Sequence, residues 1–232
     1  MENELLLLQG AMGIELDVYI ESLTEVEELE FNGFLFWKGR LAGKSVVISK
    51  TEMGVLNATI ATMTAIEQFR PDYVINQGTA GGHVEDIHTN DIVIAQKAEY
   101  LNSLIMPEKK EGEGSDSLLW FFDKKIPAME ADESLIQYFQ KEEYKQGNLL
   151  TGTIGTGDIF SREADRIHWI HQEKDNLCED METYAVYQVC QRLQVPCVSI
   201  RVISNNELLG ESFDRNSARV LQKHILKCIQ DR

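Results

Sequence analysis

The sequence predicts an α/β protein. Three observations carry that reading: short runs that are apolar at consecutive positions, helical patterns between them, and a strand–helix–strand unit of crossover length. "ELLLLQG" is the first strand. "KSVVISK", "DYVINQG", "DIVIAQK", "NLLTGTIG" and "VPCVSIRVI" follow, several of them uninterruptedly apolar, as strands buried on both faces are. Between the second and third lies "MGVLNATIATMTAIEQF", which sets Val55, Thr62, Ile66 and Phe69 at helical spacing and makes a βαβ crossover. In "EDMETYAVYQVCQRLQ", Met181, Ala185, Val189 and Leu193 fall four apart, with Met181 and Glu182 at the helix beginning. A last helix, near Asn216 to Ile229, sets Ala218, Leu221, Ile225 and Cys228 on one face. Residues 101–130 break the pattern. There a charged, glycine-containing stretch meets Leu118, Leu119, Trp120, Phe121 and Phe122, an excursion from the sheet whose aromatics fill the core, cover a pocket or meet a second subunit.

With 232 residues, 43% of them hydrophobic and only four prolines, the chain suits one domain over residues 1–232, or at most two small ones. A formal charge of −16, from 38 acidic against 22 basic residues, leaves no basic footprint for nucleic acid or an anionic membrane. A neutral or weakly charged small molecule is the expected partner. "MENELLLLQGAMG" carries two acids before an apolar run too short to span a bilayer, so a cytoplasmic location is expected. Cys178, Cys190, Cys197 and Cys228 lack metal-type spacing and read as core thiols. The histidines show no HExxH pattern, and His168 and His171, three apart, have no evident third ligand. No metal site is expected.

Chemistry-bearing residues gather where strands end, the place where α/β sheets bind ligands. "QGAMGIE" delivers Glu15, and "NQGTAGG" offers Thr79 among glycines that let backbone N–H groups approach a ligand. "TGTIGTGDIF" ends in Phe160, "EDMET" presents Met181 and Glu182, and "RVISNN" closes an apolar run with Ser204, Asn205 and Asn206. Each also has a plainer reading. The glycines suit tight turns, Glu15 a surface, Glu182 a helix's first turn, Phe160 a core, and Ser204–Asn206 the start of a loop.

In order and spacing these stretches resemble the purine nucleoside phosphorylase and nucleosidase superfamily, and within it the 5'-methylthioadenosine/S-adenosylhomocysteine nucleosidases. The likeness runs over nearly the whole chain and is weakest over residues 101–130. It implies a single α/β domain with a mixed, partly barrel-like central sheet flanked by helices, and a homodimer with its active site near the subunit interface. It implies no metal and no cofactor. The implied reaction is hydrolysis of a purine nucleoside, most of all 5'-methylthioadenosine or S-adenosylhomocysteine. By matching motif, Glu15 is the carboxylate that activates water, Glu182 the acceptor for the ribose 2'- and 3'-hydroxyls, and Met181 the apolar floor under the ribose. Phe160 and the Ser161 backbone match the segment that stacks on and hydrogen-bonds the purine. Thr79 and Arg201 match residues beside the ribose and water, and Met53 and Gly54 match a segment lining the pocket. The residue types suit the chemistry on their own account: cleavage builds positive charge on the ribosyl ring, which carboxylates stabilise, and a second carboxylate takes a proton from water.

Two departures matter. The superfamily's phosphorylases carry an arginine just before the third-strand turn, and here Asn76 and Gln77 stand in "VINQGTAGG". A phosphate dianion without a cation clamp binds poorly, so water is the expected nucleophile, with Arg162 or an arginine of a partner subunit the remaining route to phosphate. Adenine-cleaving members carry an aspartic acid at the position of Asn205, where it protonates purine N7, and an amide cannot deliver that proton. Members acting on 6-oxopurine nucleosides often carry Asn. Three readings follow: an adenine thionucleosidase in which Glu207, Asp158 or a water supplies the proton, a 6-oxopurine nucleosidase, or a nucleoside-binding protein with little turnover.

Overall fold

Leu6, Leu7 and Leu8 are all buried, so strand β1 (Leu5–Gly10) has apolar surface on both faces and needs a layer of structure on each. The computed structural model describes residues 4–230. After β1 a 3-10 turn at Gly13–Glu15 leads into α1 (Asp17–Ser22), then into two strands not anticipated from the sequence, β2 (Thr24–Phe31) and β3 (Phe34–Leu41). Their turn is Asn32–Gly33, with φ of 54° and 80°, the left-handed pair that tight hairpins require. That dipeptide between apolar residues was the available signal. Strand β4 (Lys44–Lys50), α2 (Val55–Phe69) and β5 (Tyr73–Gly82) form the expected crossover, which passes over β1, parallel to both strands.

The chain continues through β6 (Ile92–Tyr100), the two-residue strands β7 (Leu104–Ile105), β8 (Phe121–Phe122) and β9 (Met129–Glu130), and α3 (Glu133–Phe139). Then come β10 (Leu149–Thr156), α4 (Ala164–Lys174), β11 (Asn176–Asp180), α5 (Thr183–Leu193), β12 (Cys197–Asn205) and α6 (Asn216–Gln230). Strands β5, β12, β6, β10 and β11 close on one another: β5 pairs parallel with β12, β12 antiparallel with β6, β6 and β11 both parallel with β10, and β11 antiparallel with β5. The mixed, partly barrel-like sheet is therefore present. From β5 it opens outward through β1, β4, β3 and β2.

Period-two alternation sorts the side chains into two cores. Leu7, Val47 and Val74 pack on one side with Ala58, Ala61 and Ala65 of α2 and Ala185 and Val189 of α5; Leu6, Leu8, Val46 and Ile48 pack on the other with Leu221, Ile225 and Cys228 of α6. The predicted faces of α2 and α6 hold. That of α5 shifts: Met181 precedes the helix, because β11 occupies the residues just before it, and Leu193 at the far end is 40% exposed. All four cysteines are buried in the core. In residues 101–130, Phe122 packs with Leu101 and Ile170 and stacks on Trp169 at 4.7 Å, while Leu118, Leu119 and Phe121 are exposed. The excursion builds a small core against α4. Among the described residues no helix is long and apolar enough to cross a membrane.

Candidate active site

The strand ends of β1, β5, β11 and β12, with the segment after β10, enclose a cavity of ≈ 300 Å³. Its wall includes Glu15, Met53, Thr79, Phe160, Ser161, Met181, Glu182 and Asn205, so these expected site residues are brought together. Arg201 and Gly54 do not line it. They stand behind Glu182 and hold its carboxylate.

Glu15 sits at one end, 2% exposed. Its Oε2 accepts from the backbone N–H groups of Ala11 (2.9 Å) and Met12 (3.0 Å), and its Oε1 from the N–H (2.9 Å) and hydroxyl (3.1 Å) of Thr79. The Thr79 hydroxyl makes the longest of the four and alone can rotate away. The glycines of "NQGTAGG" act differently from expectation: a Cβ on Gly78 would lie 2.8 Å from Glu15 Oε1, and one on Gly81 3.4 Å from Asn205 Nδ2. They make room for functional side chains. Gln77, one of the two residues standing where a phosphate arginine was sought, donates to the Glu15 backbone carbonyl at 2.7 Å and braces the same turn.

Glu182 precedes the first turn of α5 and is buried, which removes the surface-acid reading. Its Oε1 accepts from the Gly54 N–H at 3.0 Å, and Gly54 reaches that geometry at φ 99°, a conformation that favours glycine. Burial and then the charge of Asp180 push the Glu182 carboxyl up to about 8, against the opposing pull of Arg201. Arg201 is 1% exposed, with Nη2 2.7 Å from Asp180 Oδ2, 2.6 Å from Asn76 Oδ1 and 3.7 Å from Glu182 Oε2. Asn76 therefore serves to seat Arg201. Glu182→Gln keeps the acceptor for Gly54 but can no longer ionise, and the expected result is a higher KM together with a kcat lowered about tenfold or more, since hydroxyl contacts tighten in the transition state. Steady-state kinetics with the KM and kcat changes separated checks it.

Phe160, Ile159, Phe213 and Met181 add apolar surface to the wall, and Ser161, Glu179, Ser204 and Asn205 add polar groups. Asn205 is 2% exposed, and its Oδ1 lies 3.0 Å from the Ser204 hydroxyl. Asn206, by contrast, is structural: its Nδ2 donates to Val84 and Ile87 carbonyls and its Oδ1 accepts from the Leu208 N–H. Of the two acids considered as replacements for a missing aspartate, Glu207 lines the cavity, paired with Arg162 at 3.3 Å. Asp158 does not; its Oδ1 accepts from the Val55 N–H at 2.8 Å and caps α2. No lysine or arginine of the described residues lines the cavity.

Glu179, Asp180, His83 and Phe213 were missed as wall residues. The acids directly before Met181 were the signal, obscured when "EDMET" was read as a helix start rather than the end of a strand. Glu179 is buried, its two oxygens accepting from the Ser161 N–H (2.9 Å) and hydroxyl (2.8 Å); burial pushes its carboxyl up to about 7, although those bonds act to lower it. Burial also holds the His83 imidazole down at about 3, hence neutral.

A closed mixed sheet flanked by helices, with buried carboxylates at its strand ends, is the α/β architecture of nucleoside phosphorylase-like proteins. The phosphorylase superfamily profile matches residues 6–230. A 5'-methylthioadenosine/S-adenosylhomocysteine nucleosidase of Geobacillus sp. (strain WCH70) is 31% identical over 203 residues, covering 84% of this chain and 83% of that protein. The crystal structure of the enzyme of that name from Neisseria meningitidis, in complex with methylthio-immucillin-A, superposes with a TM-score of 0.83 at 24% identity, covering 99% of this chain and 100% of that one. The one from Colwellia psychrerythraea 34H, in complex with adenine, gives 0.82 at 25% identity, covering 98% and 95%. The chain belongs to the phosphorylase superfamily, within its 5'-methylthioadenosine/S-adenosylhomocysteine nucleosidase family.

Proposed function

We propose that the protein hydrolyses the N-glycosidic bond of a purine nucleoside, with 5'-methylthioadenosine and S-adenosylhomocysteine as substrates, releasing the base and the ribose derivative. The observation that carries this reading is a cavity whose wall holds buried acids, Glu15 and Glu182 with Glu179 and Asp180, and no lysine or arginine of the described residues. The ribose lies on Met181 with its hydroxyls on Glu182, and the base between Phe160 and the polar groups of the wall. Water binds at Glu15 when the Thr79 hydroxyl turns away and frees a lone pair. As the C1'–N9 bond breaks, its electron pair passes into the purine, both carboxylates stabilise the positive ribosyl ring, and the water oxygen bonds to C1' while Glu15 takes its proton. The purine gains a proton in turn. Asn205 cannot supply it, so for adenine the donor is Glu207 or a water.

The test is incubation with 5'-methylthioadenosine in phosphate-free buffer, followed by chromatography. Free adenine and methylthioribose are expected. Product that forms only with phosphate, as the sugar 1-phosphate, overturns hydrolysis.

The working unit in this reading is a homodimer. Leu56, Ile60 and Met63, 74%, 49% and 41% exposed, form an apolar stripe at helical spacing on the outer face of α2, and Met53, also exposed, continues it to the cavity wall. A second copy on this face covers the stripe and narrows the mouth. Leu56→Glu with Ile60→Glu is expected to give a monomer by sedimentation velocity, with KM raised several-fold; an unchanged sedimentation coefficient removes α2 from the interface.

A further inference from the structure

Resting on the nucleosidase reading, we propose that Asp158 is a positioning residue for that reaction: without touching the nucleoside, it fixes the Gly54 N–H that aims the Glu182 carboxylate at the ribose. The chemistry inside the cavity gives this acid no part, because Asp158 does not line the wall.

Glu182 has few constraints of its own. From the described residues it accepts one hydrogen bond, from the Gly54 N–H at 3.0 Å, while Arg201 Nη2 stands 3.7 Å away, beyond hydrogen-bond reach. The direction of the carboxylate therefore depends on where Gly54 lies. Gly54 is in the turn between β4 and α2, at φ 99°. Two bonds hold that turn from α2 itself: Asn57 Nδ2 donates to the Met53 carbonyl at 2.8 Å, and the Ala58 N–H to the Gly54 carbonyl at 3.0 Å. They tie the turn to its own helix and leave open where the helix start sits relative to Glu182. Asp158 supplies that link. Its Oδ1 accepts from the N–H of Val55, the residue after Gly54, at 2.8 Å, and a Cβ on Gly54 would lie 2.9 Å from the same oxygen. The carboxylate takes the space that a side chain at position 54 would fill.

The bonds form a ring that starts and ends at β11. Thr156, last in β10, stands in register with Asp180, last in β11, and the Gly157 N–H donates to the Asp180 carbonyl at 3.0 Å. The next residue is Asp158. From it the ring passes through Val55 and Gly54 to Glu182, which follows Asp180 by two positions. Asp158 thus joins a fixed strand end to the turn that must be fixed. Electrostatics favour the same arrangement. Gly54 and Val55 open a helix of 15 residues, whose first N–H groups carry partial positive charge and have no partner within the helix, and two carboxylates accept from them side by side. Asp180, Arg201 and Glu15 are the charged groups that face Glu182, and none of them hydrogen-bonds it.

The experiment follows hydrolysis of 5'-methylthioadenosine across pH by the full chain, Asp158→Ala and Asp158→Asn, each also combined with Glu182→Ala. Alone, Asp158→Ala is expected to lower kcat/KM about tenfold, the loss of one hydrogen bond to a charged group, through a higher KM and a lower kcat together. Asn still accepts from the Val55 N–H and should restore activity to within about threefold. The Gly54 bond lowers the Glu182 carboxyl, so its loss sends that carboxyl above about 8 and moves the acid limb of the kcat profile of Asp158→Ala to higher pH. Combined with Glu182→Ala there is no carboxylate left to aim, and Asp158→Ala should then cost less than about twofold. Unchanged activity, an equal loss with and without Glu182, or an acid limb that stays in place overturns the inference and leaves Asp158 as a cap of α2. The Gly54 amide resonance, in protein isotope-labelled at its glycine nitrogens, is followed without substrate. It should track the Glu182 titration near about pH 8 in the parent and not in Asp158→Ala. Asp158→Glu keeps a charge at the start of α2 but displaces its oxygens by a methylene, and should show the same loss where the Ala variant does not fold. A Gly54 amide that titrates alike in parent and variant overturns the inference. No cleavage by the unaltered protein overturns the nucleosidase reading, and the Gly54 titration alone then decides the role of Asp158.

Discussion

Glu15→Gln is expected to lower the rate of hydrolysis about 10²- to 10⁴-fold, the range that a positioned general base supplies. The substitution is nearly isosteric, but the site is built for a carboxylate. Four N–H and O–H donors converge on its two oxygens, from Ala11, Met12 and Thr79, and an amide turns one of those oxygens into an NH2 group facing two donors. That clash costs about 1–3 kcal/mol of stability, the usual penalty of unpaired buried polar groups. Single-turnover rates, a substrate-binding isotherm and a denaturant melt separate the two effects. Near-normal hydrolysis by a folded variant would remove Glu15 from the mechanism.

Arg201→Met has the largest expected effect on stability. The guanidinium is the cation held between Asp180 and Glu182, and both carboxylates are buried. Breaking a buried ion pair from one side typically costs about 3–5 kcal/mol, because the remaining charge stays desolvated and unpaired. The sign of the accompanying titration follows. Arg201 is the group that lowers the Glu182 carboxyl against burial and Asp180, so its loss sends that carboxyl further up and leaves Glu182 protonated to higher pH. Urea unfolding and the acid limb of the kcat profile, which moves to higher pH, check the two consequences. A variant as stable as the parent would mean that Asp180 and Glu182 are neutralised in another way.

Some of this was determined by the sequence alone. Consecutive apolar residues in "ELLLLQG" and "KSVVISK" demand a layer on each face, and the period of α2 and α6 selects the side they bury. The order of the strand-end motifs, with Asn76 and Gln77 where an arginine was sought, was enough to identify the family and to favour water over phosphate. Apart from the order of the motifs along the chain, these are local properties, set by residues a few positions apart. The Asn32–Gly33 turn of the β2–β3 hairpin is a local signal too, but its strands are only half apolar and carry no clear strand pattern.

Other features were decided by tertiary structure, because they depend on which distant segments meet. Thr79 reaches Glu15 across 64 residues, and Gly54 reaches Glu182 across 128. Closure of the barrel between β11 and β5 brings Glu179 to the cavity wall, where a local reading had found only the start of a helix. Arg201 passed from a wall residue to a buried counter-ion for the same reason: a strand's side-chain alternation tells that a residue points inward, while its partner is chosen by the strand that comes to lie opposite.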